Sequence, residues 1–415
     1  MPRIPTLRPA LPLIAVPALA GLARRTGRAA RMAAAGLAAL ALAACQPGGL
    51  ETASGPSRGP AVDPSQPVTM ALLVPGGTGD ANLEWLSRSL SNAARMAAGD
   101  AQGARVDLRI LPVGTSAGTA AARAQEAVAG GAKIIIGPLH ADAANAVGAA
   151  VAGQGINVLT FSNNPEVAGG NVFLLGSTFD NTAQRLVGFA LSQGKRRFVV
   201  VSENDLAGQI GARAIKAAIA RNRGAVLVGD MPHAVSQAGV AGVVPGIAAA
   251  ATAGQLDVVF LTANNDAVLP YMSQLLRDSG VNPGNARLMG LTRWDQPAER
   301  LALPGLQDGW FATPDMARVR AFEARYRAAF GEAPHPLAGL AYDGVSAVAA
   351  NLRAGRRDAV TTAGLTQRAG FQGVTGVFRL NRDGSNTRAL AVATIRGGQM
   401  VTLDPAPQGT SGAGF

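Results

Sequence analysis

Residues 133–161 read KIIIGPLHADAANAVGAAVAGQGINVLTF. Lys133–Ile136 is short, apolar and β-branched, as suits a strand buried on both faces. Gly137-Pro138 breaks it. Ala141–Gln154 then reads as a helix and Ile156–Phe161 as the next strand. A strand, a covering helix and another strand in so short a span make a right-handed βαβ unit of a parallel sheet.

The same alternation extends in both directions. Upstream, Val68–Val74 (VTMALLV) and Arg105–Pro112 read as strands, with helices over Leu83–Ala98 and Thr119–Ala129. Asn171–Leu175 is a further strand downstream. A second array begins after Asp180: helices over Gln184–Gln193, Gly208–Arg221, Val240–Ala253 and Ala267–Ser279, and strands over Arg197–Ser202, Ala225–Gly229, Asp257–Thr262 and Arg287–Gly290. Two consecutive arrays imply an α/β protein of two lobes, each built on a parallel sheet. Past residue 310 come two helices, Met316–Phe330 and Leu337–Ala354, and then a β tail. There Asp383-Gly384 signals a hairpin between Gly376–Leu380 and Thr387–Ile395.

Length and composition agree. The chain has 415 residues, 48% of them hydrophobic and 15% charged, with one cysteine. Disorder and a disulfide scaffold are excluded. The formal net charge of +11 hints at nucleic acid, but six arginines and no acid lie in residues 1–44, and removing them leaves +5. No basic run with interleaved aromatics remains, so no nucleic-acid partner is expected.

The amino terminus reads as an address. The basic residues Arg24, Arg25, Arg28 and Arg31 precede an apolar run over Met32–Ala44 and then Cys45. This is the pattern of a secretory signal, and the run is too short to span a bilayer. Residues 45–67, rich in Gly, Pro and Ser, read as a flexible tether. The expected division is residues 1–44 signal, 45–67 tether, 68–405 folded domain and 406–415 disordered tail. Within the domain, lobe 1 is expected over about 68–180 and 312–354, and lobe 2 over about 181–311 and 355–405.

Chemistry is sparse. His140, His233 and His335 are not spaced to share a metal, so neither a metal nor a cofactor is expected. Gly114-Thr115-Ser116-Ala117-Gly118 has the form of a nucleophile elbow but no base or acid partner, and reads better as a helix cap. Pro75-Gly76-Gly77-Thr78-Gly79 lacks the Lys-Ser/Thr of a phosphate loop and reads as a loop beside a cleft. No catalytic residue is expected.

More telling are the polar clusters after strands: Gly137-Pro138-Leu139-His140-Ala141-Asp142, Ser162-Asn163-Asn164-Pro165, Ser202-Glu203-Asn204-Asp205, Thr262-Ala263-Asn264-Asn265-Asp266 and Thr292-Arg293-Trp294-Asp295. The carboxyl ends of parallel strands open onto the ligand crevice of such sheets. The candidate cleft residues are therefore Leu139, His140, Ala141, Ser162, Asn163, Asn164, Asp205, Asn264, Asn265, Trp294 and Asp295. For any one cluster a helix cap or turn former is the better reading, and it is five clusters at the same end of two sheets that point to a cleft.

In order, VTMALLVP, IIIGPLHADAANAV, INVLTFSNNPE and NVFLLGSTFDNTAQRLVGFA resemble the type 1 periplasmic binding proteins of the leucine/isoleucine/valine-binding family. The resemblance implies two doubly wound parallel-sheet lobes, joined by three crossing strands, with a hinged cleft that closes on a ligand. Amino-acid binders usually carry hydroxyl residues where this chain has Leu139-His140-Ala141, and an aromatic where it has Ala207. LDVVFLTANNDAVLPYMSQLL, LPGLQDGWFATPD and the tail from Gly373 to Leu403 look more like penicillin-binding protein activators, lipoproteins of the same fold.

Leu42-Ala43-Ala44-Cys45 resembles the lipobox of bacterial lipoproteins, which implies acylation of Cys45 and a bilayer as partner. Gln46 in place of Asp points to the outer membrane. The resemblance thus implies a non-enzymatic, periplasm-facing lipoprotein that activates a peptidoglycan synthase. The alternative is the substrate-binding subunit of an ABC importer, with a permease and a small branched-chain or related amino acid as partners.

Overall fold

The computed structural model describes residues 59–410. The expected signal, Cys45 and most of the tether therefore lie outside the described residues. No helix among the described residues is long and apolar enough to cross a membrane.

The first lobe carries a five-stranded parallel sheet in the order β2-β1-β3-β4-β5. Its strands are β1 Val68–Val74, β2 Val106–Pro112, β3 Ile134–Ile136, β4 Val158–Thr160 and β5 Val172–Leu174. Between them run α1 Ala81–Asp100, α2 Ala117–Ala129 and α3 Ala141–Ala152. Side chains of a strand alternate between faces, and β1 shows why its run is continuously apolar. Met70, Leu72 and Val74 enter one core with Leu86 and Leu90 of α1, while Ala71 and Leu73 enter another with Ala120 and Ala124 of α2.

The second lobe repeats the device in a seven-stranded sheet, β15-β14-β10-β9-β8-β6-β7. Its parallel strands are β6 Arg197–Glu203, β7 Val226–His233, β8 Val258–Leu261, β9 Arg287–Gly290 and β10 Trp310–Thr313. Helices α4 Phe179–Ser192, α5 Leu206–Arg221, α6 Gln237–Thr252 and α7 Val268–Asp278 cover it. Val199 and Val201 of β6 face one core, and Phe198 and Val200 the other.

The chain then returns to the first lobe. Helices α8 Met316–Phe330 and α9 Ala338–Arg353 pack beside α1, and the short α10 Thr362–Leu365 follows. A small antiparallel sheet, β11 Phe371–Gly373, β12 Gly376–Leu380 and β13 Asn386–Arg388, completes that side. Its hairpin turn is pressed against β5: a Cβ on Gly384, whose φ is +81°, would lie 2.3 Å from the Val172 carbonyl oxygen. Last, β14 Ala391–Arg396 and β15 Gln399–Asp404 pair antiparallel at the edge of the second sheet.

Several expected boundaries move. Residues 59–67 are not free tether, for Val62 is buried in the first lobe's core and its N–H donates to the Arg357 carbonyl at 2.9 Å. Residues 355–380 do not belong to the second lobe, because Leu365, Phe371 and Phe378 complete the first lobe's core. Ala312 and Thr313 lie in β10 of the second lobe rather than in the first. Nor are residues 406–410 loose: Ala406 is buried, Gln408 donates to Asp315 at 3.1 Å and Thr410 to the Arg368 carbonyl at 2.9 Å.

The lobes are joined where the chain crosses near Leu175–Thr178, near Pro314 and at Arg388–Leu390. Buried amides lock two of these crossings together. Asn386 donates to the Leu174 and Gly176 carbonyls, each at 2.8 Å, and Asn181 donates to the Asn386 side chain at 2.9 Å. Arg388 donates through Nε and Nη2 to the Leu175 carbonyl, and through Nη1 to Thr375 at 2.8 Å. A buried polar network of this kind fixes one geometry only because each member finds a partner.

Candidate ligand-binding cleft

A cavity of about 380 Å³ lies between the lobes at the carboxyl ends of both sheets. This is where open parallel sheets receive ligands, and the volume suits a small molecule. The first lobe contributes Leu139, Phe161, Ser162 and the start of α9 at Pro336–Leu340. The second contributes Arg293, Gln296 and Ala312, and the crossings contribute Ser177, Arg388 and Leu390. Most of the wall is hydrocarbon. No Asp or Glu is among the described residues that line it.

Arg293 is the charged feature of the second lobe's wall. It follows β9 and is half-buried, with Nε donating to Asp295 Oδ1 at 2.9 Å and Nη2 bonding Asp295 Oδ2. That fork holds the guanidinium in place and leaves Nη1 for a ligand. Arg388 also lines the cleft, but its donors are spent on the crossings and on Asp343.

The first lobe offers the start of α9, where Leu337 supplies no side-chain cap. His335 takes two of the N–H groups there, that of Leu337 on its Nδ1 at 3.1 Å and that of Ala338 on its carbonyl at 2.9 Å. The positive end of the helix dipole still favours an anion. Ser162 lines the same cavity, its hydroxyl accepting from the Asn164 N–H at 3.2 Å.

The residues expected from the polar clusters separate into two groups. Leu139, Ser162 and Asn163 line the cavity. Asp295 does so indirectly, by aiming Arg293. Ala141 is the first residue of α3, and His140 precedes it with Nε2 buried and unpartnered; neither reaches the lining.

The others do local work. Asp205 caps α5 by accepting from Gly208 at 2.6 Å, Asn164 accepts from Glu166 at 3.0 Å, and Asn265 accepts from Ala267 at 2.8 Å. Asn264 holds Arg300, which donates to its side chain at 3.2 Å. Trp294 is not a cleft residue: its side chain is 0% exposed in the second lobe's core, clamped between Gly290 and Gly309.

Two rejected motifs also find their places. Ser116 caps α2, accepting from Thr119 at 3.3 Å. The glycine loop after β1 does not line the cleft. It wraps the chain's own Glu84, whose Oε1 accepts from Gly77, Thr78 and Gly79 at 2.7, 2.8 and 3.3 Å. Those N–H groups hold the Glu84 carboxyl below its usual range.

The residues that sequence reasoning missed are Arg293 and the wall from the crossings and the α9 start. Arg293 sat inside a cluster already marked, between Thr292 and Trp294. Leu337, Val377 and Leu390 carried no polar signal.

Two doubly wound lobes facing each other across a ligand-sized cavity define a two-lobed α/β binding protein. The chain belongs to the periplasmic binding protein family, whose model matches residues 67–399, and the family implies a periplasmic location. No curated protein matches it in sequence.

Among solved structures, a putative branched-chain amino acid ABC transporter from Rhodospirillum rubrum is similar with TM-score 0.69 and 18% identity, over 81% of this chain and 100% of that one. A branched chain amino acid ABC transporter periplasmic ligand-binding protein from Burkholderia xenovorans LB400 gives 0.62 and 16%, over 81% and 96%. An ABC transporter substrate-binding protein from Desulfitobacterium hafniense, in complex with Leu, gives 0.57 and 18%, over 81% and 100%. At these identities the likeness shows the fold. Family and neighbours are binding proteins rather than enzymes.

Proposed function

We propose that the chain is the substrate-binding component of an ABC importer, and that its ligand is a small, mainly apolar molecule bearing a carboxylate. One observation carries this reading: Arg293, with Nη1 unspent, and the start of α9 line one mainly hydrocarbon cavity from opposite lobes. A carboxylate there would meet a guanidinium and the positive end of the α9 dipole, while its apolar body displaces water from Phe161, Leu340 and Leu390. A free ammonium would find no carboxylate on the lining and would lose its hydration uncompensated. The ligand class thus differs from the amino acids named for the similar structures. The melting temperature of the chain, followed against a panel of small carboxylates, amines and neutral analogues, tests this. A saturable rise with carboxylates supports it, and no rise with any of them contradicts it.

The second reading is the activation of a peptidoglycan synthase by a lipoprotein anchored through Cys45 in the outer membrane. It is favoured by the stretches around Asn264 and Gly309 and the tail from Gly373 to Leu403 that resemble activators, and by the lack of an acid on the cleft lining to hold an amino acid. Pull-down with a bifunctional synthase tests it, and absence of binding and of stimulated glycan synthesis would end it.

A further inference from the structure

A second cavity, of about 180 Å³, lies in the second lobe at the other end of the strands that form the cleft. Its walls are the segments leading into β9 and β10, including Arg277, Asn282, Arg287, Gln307 and Asp308. Arg287 is anomalous. The other arginines of this lobe that are buried or half-buried, Arg185, Arg197, Arg293 and Arg300, each hold a carboxylate.

Among the described residues Arg287 has no such partner. It donates one Nη1 hydrogen bond to the Asp308 carbonyl at 2.6 Å and lies over the Trp310 ring at 4.9 Å, with its buried Nε unpartnered. A half-buried cation lacking a counter-charge is costly, and such groups are normally paired.

The surroundings add positive charge. Arg277 lines the same cavity and spends Nη1 on the Pro304 carbonyl at 2.7 Å. Arg396 stands close enough to act on Arg287. The nearby carboxylate, Asp308, is engaged by Arg396 at 3.5 Å. Burial, with Arg396, pushes the Arg287 guanidinium below its ordinary range against the pull of Asp308.

We infer that this cavity is an anion site, built for a phosphate-sized oxyanion held between Arg287 and Arg277. Forked guanidinium donors match phosphate oxygens in pairs, and an ion there supplies the direct ion pair that Arg287 lacks. The site is separate from the cleft: its residues lie at the amino-terminal ends of β9 and β10, whereas Arg293 and Pro314 follow the carboxyl ends. Phosphate could arrive as the free ion or as the headgroup of a phosphomonoester.

The test is calorimetric titration of the full chain with inorganic phosphate and, separately, with glycerol phosphate, against chloride at equal ionic strength. Saturable binding of either is expected. Arg277→Gln should weaken it about fivefold, the effect of losing one charged partner at a half-exposed site. Asp308→Asn should tighten it, because the competing carboxylate is gone and Asn tolerates the left-handed backbone (φ 60°) at that position. A gain of affinity cannot arise from misfolding. Arg293→Gln should leave phosphate binding unchanged, which keeps this outcome distinct from failure of the cleft reading. Tighter binding of glycerol phosphate identifies the headgroup as the source, and tighter binding of inorganic phosphate the free ion. No response beyond chloride, or one unmoved by Arg277→Gln and Asp308→Asn, would overturn the inference.

Discussion

Arg388 Nη1 lies 3.1 Å from Asp343 Oδ2 where both side chains are buried, their exposures being 4% and 0%. Asp343 belongs to α9 of the first lobe, and Arg388 to the segment that crosses to the second. The Asp343 carboxyl also accepts from the Val374 N–H at 2.8 Å. Burial pushes this carboxyl upward, and Arg388 opposes that push. The pair ties α9 to the crossing segment, and a buried pair of this kind adds little net stability over apolar side chains of the same volume.

Removing one partner should be far worse than removing both. Asp343→Asn leaves an uncompensated buried guanidinium and should cost about 3–5 kcal/mol in urea unfolding. Asp343→Leu combined with Arg388→Met should recover part of that loss. A single variant within about 1 kcal/mol of the parent, against that expected range, would show that the pair is already solvated.

Glu203 gives a pH prediction. It ends β6 beside His233, is 4% exposed, and has an unpartnered Oε1. Burial first, and then the Asp205 carboxylate, push its pKa upward; the Asn264 N–H and His233 pull the other way. A folded-state pKa above the unfolded one means that the folded chain holds the proton longer. Its stabilising contribution is complete below the ordinary carboxylate range and is lost as pH rises through the folded value. Glu203→Gln should therefore be at least as stable as the parent at neutral pH, with the parent gaining on the variant upon acidification. Chemical unfolding of both across that window checks this. A variant that loses most at neutral pH would contradict it.

Gly290 is required by Trp294. A Cβ at residue 290 would lie 2.2 Å from Trp294 Cε2, and one at residue 309 would lie 2.4 Å from Cζ3. Gly290→Ala must displace the indole from the second lobe's core and should cost about 1–3 kcal/mol, as overpacking does. A lower melting temperature and red-shifted tryptophan emission are expected. An unchanged spectrum would mean that the ring is not clamped.

The fold was legible because its strands are buried on both faces. Runs such as VTMALLV and RFVVVS must be apolar throughout, and helices separate them at regular intervals. Where that logic lapses, the reading lapsed. Trp310–Thr313 was missed because four residues between turns show no period. Thr387–Ile395 was taken as one strand, although it divides at Ala389-Leu390 as the chain passes between lobes.

The cleft was only half legible for a different reason. Helix capping and ligand binding draw on the same Asn, Asp and Ser residues at the same strand ends. Asp205 and Asn265 cap, whereas Ser162 lines the cavity. Trp294 looked like a cleft aromatic, yet its neighbour Arg293 faces the ligand space. The hydrocarbon wall comes from segments hundreds of residues apart, and only the topology brings them together.

The most direct test of the cleft reading is a calorimetric comparison of 4-methylpentanoate with leucine, which differ by one amino group, on the parent chain and on Arg293→Gln. The account expects saturable binding of 4-methylpentanoate, weaker or absent binding of leucine, and at least about a tenfold loss in Arg293→Gln, as for removal of a charged hydrogen-bond partner. Tighter binding of leucine, or 4-methylpentanoate binding that survives Arg293→Gln intact, would contradict it.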